Sequence, residues 1–262
     1  MKSALKQFVK TVIFYLRYFA AVLFVNELRK QHFNTKRIPI FIISFNQLEY
    51  LKKLLNFLWT NEYLNIIIID NNSTYKPLLS YFEEIKDKVK IVTSEKNYGH
   101  LAFWELEDQL KEYTNGYYVV TDPDIVPIHE CPGDFLKKFK SILLRNPLKT
   151  KVGFSLSINN IPDTNPNKNK ILNWESKFWS VKTKENNYIA PIDTTFALYR
   201  PFYKYSSYNF YRAIRTNYPY TAIHGGWYVN PNNMTEEQVY YVKTTNSSSS
   251  WLHSKEGKNI YN

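Results

Sequence analysis

Two aspartates separated by a proline, Asp122-Pro123-Asp124, follow the apolar run at residues 117–121. Side chains at i and i+2 of an extended segment fall on the same side, and proline keeps the residue before it out of the helical region. Two carboxylates held this way at the mouth of a buried strand suit a hard divalent cation with positions left open for phosphate oxygens. An isolated D-x-D of this kind also reads as a simple Asp-Pro turn. Three other apolar runs end in small polar or acidic residues: Ser44-Phe45-Asn46, Asp70-Asn71-Asn72-Ser73 and Asn97-Tyr98-Gly99-His100. Each alone is a turn or a helix cap. Together on one edge of a parallel sheet they describe a binding crevice.

No G-x-x-x-x-G-K-[ST] or G-x-G-x-x-G loop occurs, and the chain has seven glycines. Backbone cradling of a pyrophosphate is therefore poorly supplied. A metal at Asp122 and Asp124 would offset that charge instead, as a Lewis acid on the leaving group.

The elements that must position these groups alternate. Residues 38–45, 65–70, 89–93 and 117–121 are apolar throughout, as strands buried on both faces are. Helical spacing is expected at 47–59, 76–85 and 101–113. This order predicts an α/β fold with a mostly parallel central sheet, whose ligands sit at the carboxyl ends of the strands. Further on, a helix at 135–145, a strand at 152–158, a mobile polar loop at 162–170 and an extended segment at 188–199 are expected.

The order S-F-N, D-N-N-S, N-Y-G-H, D-P-D across residues 44–124 resembles family 2 glycosyltransferases of the GT-A fold, a Rossmann-like sandwich. The resemblance covers residues 38–130, the donor-binding half. It implies that Ser44 and Asn46 border the nucleotide pocket and that Asp70 and Asn72 meet base or ribose. By the same likeness Asn97 and Gly99 close that pocket, and Asp122 and Asp124 hold Mn²⁺ or Mg²⁺ on the diphosphate of a nucleotide-sugar donor, UDP-linked in preference to GDP-linked. The family's acidic pair near the acceptor has no clear match.

An inverting transfer needs a carboxylate to take the acceptor hydroxyl proton. Asp193, in Ile192-Asp193-Thr194-Thr195-Phe196, is the candidate, with Glu175, Asp163 and Glu185 as alternatives and a turn aspartate as the bland reading. GT-A enzymes often add a late histidine to the metal, which points to His224 in Ile223-His224-Gly225-Gly226-Trp227; imidazole favours Mn²⁺ over Mg²⁺. A structural histidine explains the same residue.

The bulk of the chain sets the context. It has 262 residues, 44% of them hydrophobic, a net charge of +11 and one cysteine, Cys131. One cysteine excludes an internal disulfide and a Cys-rich zinc site. The charge favours anionic partners. Residues 8–25 are apolar but carry Lys10 and Arg17 on one helical face, which suits a helix lying in the headgroup region rather than spanning it. The expected organisation is a membrane-associating helix at 1–36, a catalytic domain at 37–243 (donor half 37–130, acceptor half 131–243) and a polar tail at 244–262. The expected function is metal-assisted, inverting transfer to a glycan or lipid-linked acceptor at the cytoplasmic, anionic face of a membrane. A nucleotidyltransferase would share the sheet and metal but lacks its basic glycine loop here. A non-enzymatic membrane scaffold or nucleic-acid binder would use the charge, yet no zinc or RRM-type motif supports nucleic acid.

Overall fold

The structure, a computed structural model, describes residues 2–245; the tail expected at 244–262 lies almost wholly outside them. Two N-terminal helices, α1 (Lys2–Phe24) and α2 (Asn26–Phe33), precede an α/β domain. Strands β1 (Ile40–Ser44) and β2 (Ile66–Asp70) are buried at every position. Their odd and even residues feed two separate cores. Ile40, Ile42, Ile66 and Ile68 face one, and Phe41, Ile43, Ile67 and Ile69 face the other. A strand covered on both faces has no polar position to spare.

Between them α3 (Glu49–Thr60) buries Leu51, Leu54, Leu55 and Leu58. Helix α4 (Lys76–Ile85) repeats the spacing with Leu78, Tyr81, Phe82 and Ile85, and carries a proline in its first turn. This is the i, i+3, i+4, i+7 stripe of an amphipathic helix, and each buried leucine contributes about 1.5–3 kcal/mol. Strand β3 (Lys90–Thr93) is the half-exposed edge.

The helix expected at 101–113 is broken. It forms α5 (Ala102–Glu105) and α6 (Glu107–Leu110), flanked by 3-10 turns at Gly99–Leu101 and Lys111–Asn115. Consecutive rings anchor in one aromatic cluster, Phe103 on Phe41 and Tyr118, and Trp104 on Tyr199 and Phe210. Their packing overrides a straight axis.

Strands β4 (Tyr118–Thr121) and β5 (Ile125–Pro127) flank the Asp-Pro-Asp triplet, and α7 (Phe135–Arg145) follows. The strand expected at 152–158 is two strands in two sheets, β6 (Lys151–Gly153) and β7 (Ser155–Leu156). The kink falls at Gly153, where a Cβ would lie 2.3 Å from the Phe196 carbonyl oxygen. The loop at 162–170 is anchored rather than loose: Asn165 is buried and donates to the Trp227 carbonyl at 2.7 Å. Helix α8 (Lys168–Glu175) starts within it.

Of the extended segment at 188–199 only β8 (Ala197–Tyr199) is a strand. Helix α9 (Ser207–Phe210), strands β9 (Ala213–Arg215) and β10 (Thr221–His224), and α10 (Glu236–Thr244) complete the chain. The central sheet runs β3-β2-β1-β4-β8-β6-β9, with β8 antiparallel to both its neighbours and the other pairs parallel. A small second sheet, β5-β10-β7, sits beside it.

The N-terminal stretch is a bent pair, with 101° between its two helices; no single helix among the described residues is long and apolar enough to cross a membrane. One face of α1 docks through Tyr18 and Val22, and Tyr15 donates to the Leu144 carbonyl at 2.9 Å. From α2, the Gln31 amide exchanges two hydrogen bonds with the Tyr117 backbone, of 2.7 and 3.0 Å. Gly116 admits that amide, since a Cβ there would stand 2.5 Å from it. The opposite face of α1 leaves Leu5, Phe8, Leu16, Phe19 and Leu23 more than half exposed.

Candidate active site

Parallel pairing levels the strand ends. Ser44 stands opposite Asp70 on the next strand, and Ile42 opposite Thr121. Beyond these ends opens a cleft of about 840 Å³, lined by Asn97, Gly99, Asp122, Asp124, Asp193 and His224 among others. Six sequence-predicted site residues from the turns after β3 and β4, the loop before β8 and the end of β10 thus share one space.

Asp122 accepts a 2.8 Å hydrogen bond from Thr194 Oγ1. Asp124 is buried, and its Oδ2 accepts from the Gly226 N–H at 3.2 Å. His224 Nδ1 also lies 3.2 Å from that oxygen, outside hydrogen-bond geometry, so the nitrogen has no hydrogen-bond partner in the structure. The imidazole stacks on Trp227, with 5.1 Å between centroids and 7° between planes. Gly226 keeps this corner narrow: a Cβ there would meet the His224 ring at 3.2 Å.

Burial first, then the charges of Asp124 and Asp193, push the Asp122 carboxyl well above its ordinary range. Burial would raise Asp124 too, but His224 and the Gly226 N–H outweigh it and hold that carboxyl low. Burial alone would lower His224; the Asp124 carboxylate reverses this and raises it. Ionising Asp122 as well as Asp124 here would put more negative charge in the corner than His224 neutralises, which is why Asp122 holds its proton. A dication relieves that excess, and carboxylate oxygens are donors suited to Mn²⁺ or Mg²⁺. Asp122 and Asp124 fit a part of such an ion's shell. Among the described residues no three His, Cys, Asp or Glu side chains converge on one point, so the protein's share of a coordination shell here would be small.

Asp193 is exposed to the cleft. Its loop is tied from below, where Lys151 Nζ donates to the Asp193 backbone carbonyl at 2.8 Å, and its own Oδ1 accepts from the Thr195 N–H at 3.3 Å. Of the alternative bases, Glu175 lines the cleft but is ion-paired with Arg215. Asp163 pairs with Lys168 and Glu185 with Arg145, neither of them in the cleft lining.

Four expected donor contacts do not line the cleft: Ser44, Asn46, Asp70 and Asn72. Ser44 is buried in the sheet. Asn46, at φ 49°, turns its Oδ1 to the Thr74 and Tyr75 N–H groups at 2.8 and 3.0 Å, where it ties down the turn that leads into α4. Asp70 closes its own turn by accepting from the Ser73 N–H at 2.9 Å. Asn72 adopts φ 65° and points to solvent. The neighbouring Asn71 takes the cleft position. It donates to Asn97 Oδ1 and the Gly99 carbonyl at 2.9 and 3.0 Å, and accepts from the Tyr98 N–H at 2.9 Å. The structure also adds α8, whose Lys170, Asn173 and Trp174 line the cleft with Lys177 and Phe178 just beyond. Their spacing is a helical face, a signal present in the sequence but masked by the polar run before it.

Comparison with known proteins bears on this arrangement. No curated protein matches. Similar solved structures include a mannosyltransferase from Pyrobaculum calidifontis in complex with GDP-Man and Mn²⁺ (14% identity, TM-score 0.45, covering 90% of this chain and 71% of that one). TarS of S. aureus is 15% identical, with TM-score 0.39 and coverage of 63% and 47%. Glucosyl-3-phosphoglycerate synthase from Mycobacterium tuberculosis, in complex with phosphoglyceric acid, is 14% identical, with TM-score 0.39 and coverage of 62% and 56%. The chain thus spans about half the length of the last two. The family model described as glycosyl transferase family 2 matches residues 40–200, from the first strand of the sheet to the end of β8. The chain belongs to that family and is a glycosyltransferase.

Proposed function

We propose that this enzyme transfers a hexose from a nucleotide-sugar donor, UDP-linked in preference to GDP-linked, to a hydroxyl of a glycan or lipid-linked saccharide, with inversion. The observation that carries the reading is the convergence of Asp122, Asp124, His224 and Asp193 on the cleft that Asn97 and Gly99 also line. Asp122 and Asp124 would hold Mn²⁺ or Mg²⁺, with His224 beside them as a further candidate ligand, and the ion would supply Lewis-acid stabilisation of a departing nucleoside diphosphate. Asp193 would accept the proton of the acceptor hydroxyl as its oxygen bonds to the anomeric carbon and the bond to the diphosphate breaks. The anchored loop holds that carboxylate without using its oxygens on a cation, as Glu175 does.

The exposed apolar face of α1, with exposed Lys10 and Arg17 alongside, supports work at an anionic membrane surface, on the cytoplasmic side. The pair of helices meets the sheet at Tyr117, the amino end of β4, whereas the cleft opens past Thr121 at the other end. Docking on lipid through α1 leaves the cleft open.

Calorimetric titration of UDP and GDP, with Mn²⁺ or with EDTA, tests the donor site. Binding that needs metal and is lost in Asp122→Ala/Asp124→Ala is the expected result. Folded wild-type protein that binds neither nucleotide with metal present would sink the UDP/GDP-sugar reading.

A further inference from the structure

We propose that the acceptor is an anionic saccharide, a sugar ring bearing a carboxylate or phosphate, received by one face of α8 and the turn after it. This rests on the glycosyl-transfer reading of the same cleft. Lys170, Asn173, Trp174, Lys177 and Phe178 all line the cleft. Their offsets of three, four, seven and eight residues are those of a single helical face, carried by α8 and the 3-10 turn Ser176–Trp179.

Such spacing ordinarily marks a face buried in a core. Here α8 buries Ile171, and Glu175 within the cleft lining against Arg215, while Trp174 stays 41% exposed. Leaving an indole in water forfeits about 25 cal/mol for each Å² of apolar surface, and an exposed aromatic in a cleft is contact surface for a ligand. The indole is also braced. Phe178 meets it edge-on, with 5.7 Å between centroids and 87° between planes, and the Lys177 ammonium lies 5.2 Å from its centre.

Lys170 and Lys177 lie on either side of Trp174, about 11 Å apart along the helix axis. One pyranose ring fits between them. Its C–H face would pack on the indole, its hydroxyls would meet the Asn173 amide, and a charged substituent would reach an ammonium. A lysine is a compact charge well suited to carboxylate or phosphate. Arg215 also lines the cleft, but its guanidinium is engaged by Glu175 and the Pro191 carbonyl. Asp193 lines the same cleft. A charged acceptor anchored by its anion on α8 would thus present its accepting hydroxyl toward Asp193.

The test is saturation-transfer NMR on the full chain with UDP and Mn²⁺, using methyl glucoside, methyl glucuronide and glucose 6-phosphate as probes. A charged probe is expected to bind about tenfold more tightly than the neutral one. Lys170→Gln/Lys177→Gln should erase that margin without moving the neutral probe, and Trp174→Ala should weaken all three. The tighter of the two charged probes tells carboxylate from phosphate. Equal binding of neutral and charged probes, a margin that survives in the lysine variant, or no binding of any probe overturns the proposal. UDP calorimetry on the lysine variant should match wild type; a loss there places the lysines on the donor diphosphate and also overturns it. Wild-type protein that binds no nucleotide would instead overturn the nucleotide-sugar reading, and the charge margin, measured without nucleotide, would still decide the acceptor.

Discussion

Lys151 donates a 2.8 Å hydrogen bond from Nζ to the backbone carbonyl of Asp193, forty-two positions along the chain. The lysine has no exposed surface. It also donates to the Tyr199 hydroxyl at 2.8 Å and lies 3.6 Å from the centre of the Phe210 ring. Burial pushes its ammonium well below the ordinary lysine range. The loop carrying the candidate base is thus pegged to the sheet by buried Lys151, with the Tyr199 hydroxyl donating to the same carbonyl at 3.4 Å. Lys151→Met should lower kcat while leaving UDP affinity intact, and cost about 1–3 kcal/mol in urea unfolding, since only the longer hydrogen bond from the Tyr199 hydroxyl to the Asp193 carbonyl remains. An unchanged kcat would reject the positioning role.

Asp193→Asn keeps the size and the Thr195 contact but removes the proton acceptor. Transfer, read as release of nucleoside diphosphate, should fall about 10²–10⁴-fold with nucleotide Kd unmoved. Activity within a few-fold of wild type would move the base elsewhere.

Glu175 adds a pH dependence to stability. Burial, partly opposed by Arg215, lifts its carboxyl from 4.5 to about 7. A raised acid binds its proton more tightly in the folded state, so the folded chain holds more protons between those values. Unfolding free energy should therefore fall as pH rises from 4.5 to about 7, by about 3 kcal/mol or less. Denaturation midpoints across that range should lose this slope in Glu175→Gln. A slope that persists in the variant would assign it to another group.

The apolar face of α1 makes a separate prediction. The chain should co-sediment with vesicles containing phosphatidylglycerol more than with neutral ones, and added salt should weaken this. Phe8→Asp/Leu16→Asp should abolish sedimentation and leave UDP binding unchanged. Wild-type protein that stays in the supernatant would argue against membrane attachment through this face.

The sequence by itself determined what neighbouring residues can settle among themselves. Helix α4 runs over the very residues, Lys76–Ile85, that its apolar spacing marks, and β1 and β2 lie within their isoleucine runs. A stripe or a run either buries itself or is left in water, and that choice is visible within a dozen residues. Asp122, Asp124, Asp193 and His224 could be picked out as candidates for a similar reason, because carboxylates and imidazole carry their chemistry wherever they sit, and all four line the cleft.

Tertiary structure decided which of several similar residues point at the cleft. Asn71 rather than Asn72 faces Asn97 because Asn72 takes a left-handed conformation, a choice that nothing in D-N-N-S dictates. Asn46 was drawn off to the turn before α4 by contacts twenty-eight and twenty-nine residues away. The run at 151–156 divided between two sheets at Gly153, where the Phe196 carbonyl leaves no room for a Cβ. The Lys151 peg joins residues that pattern alone gives no reason to pair. Each outcome depends on satisfying a polar group, or fitting a close approach, against a partner far along the chain. Such partners exist only once the sheet has assembled.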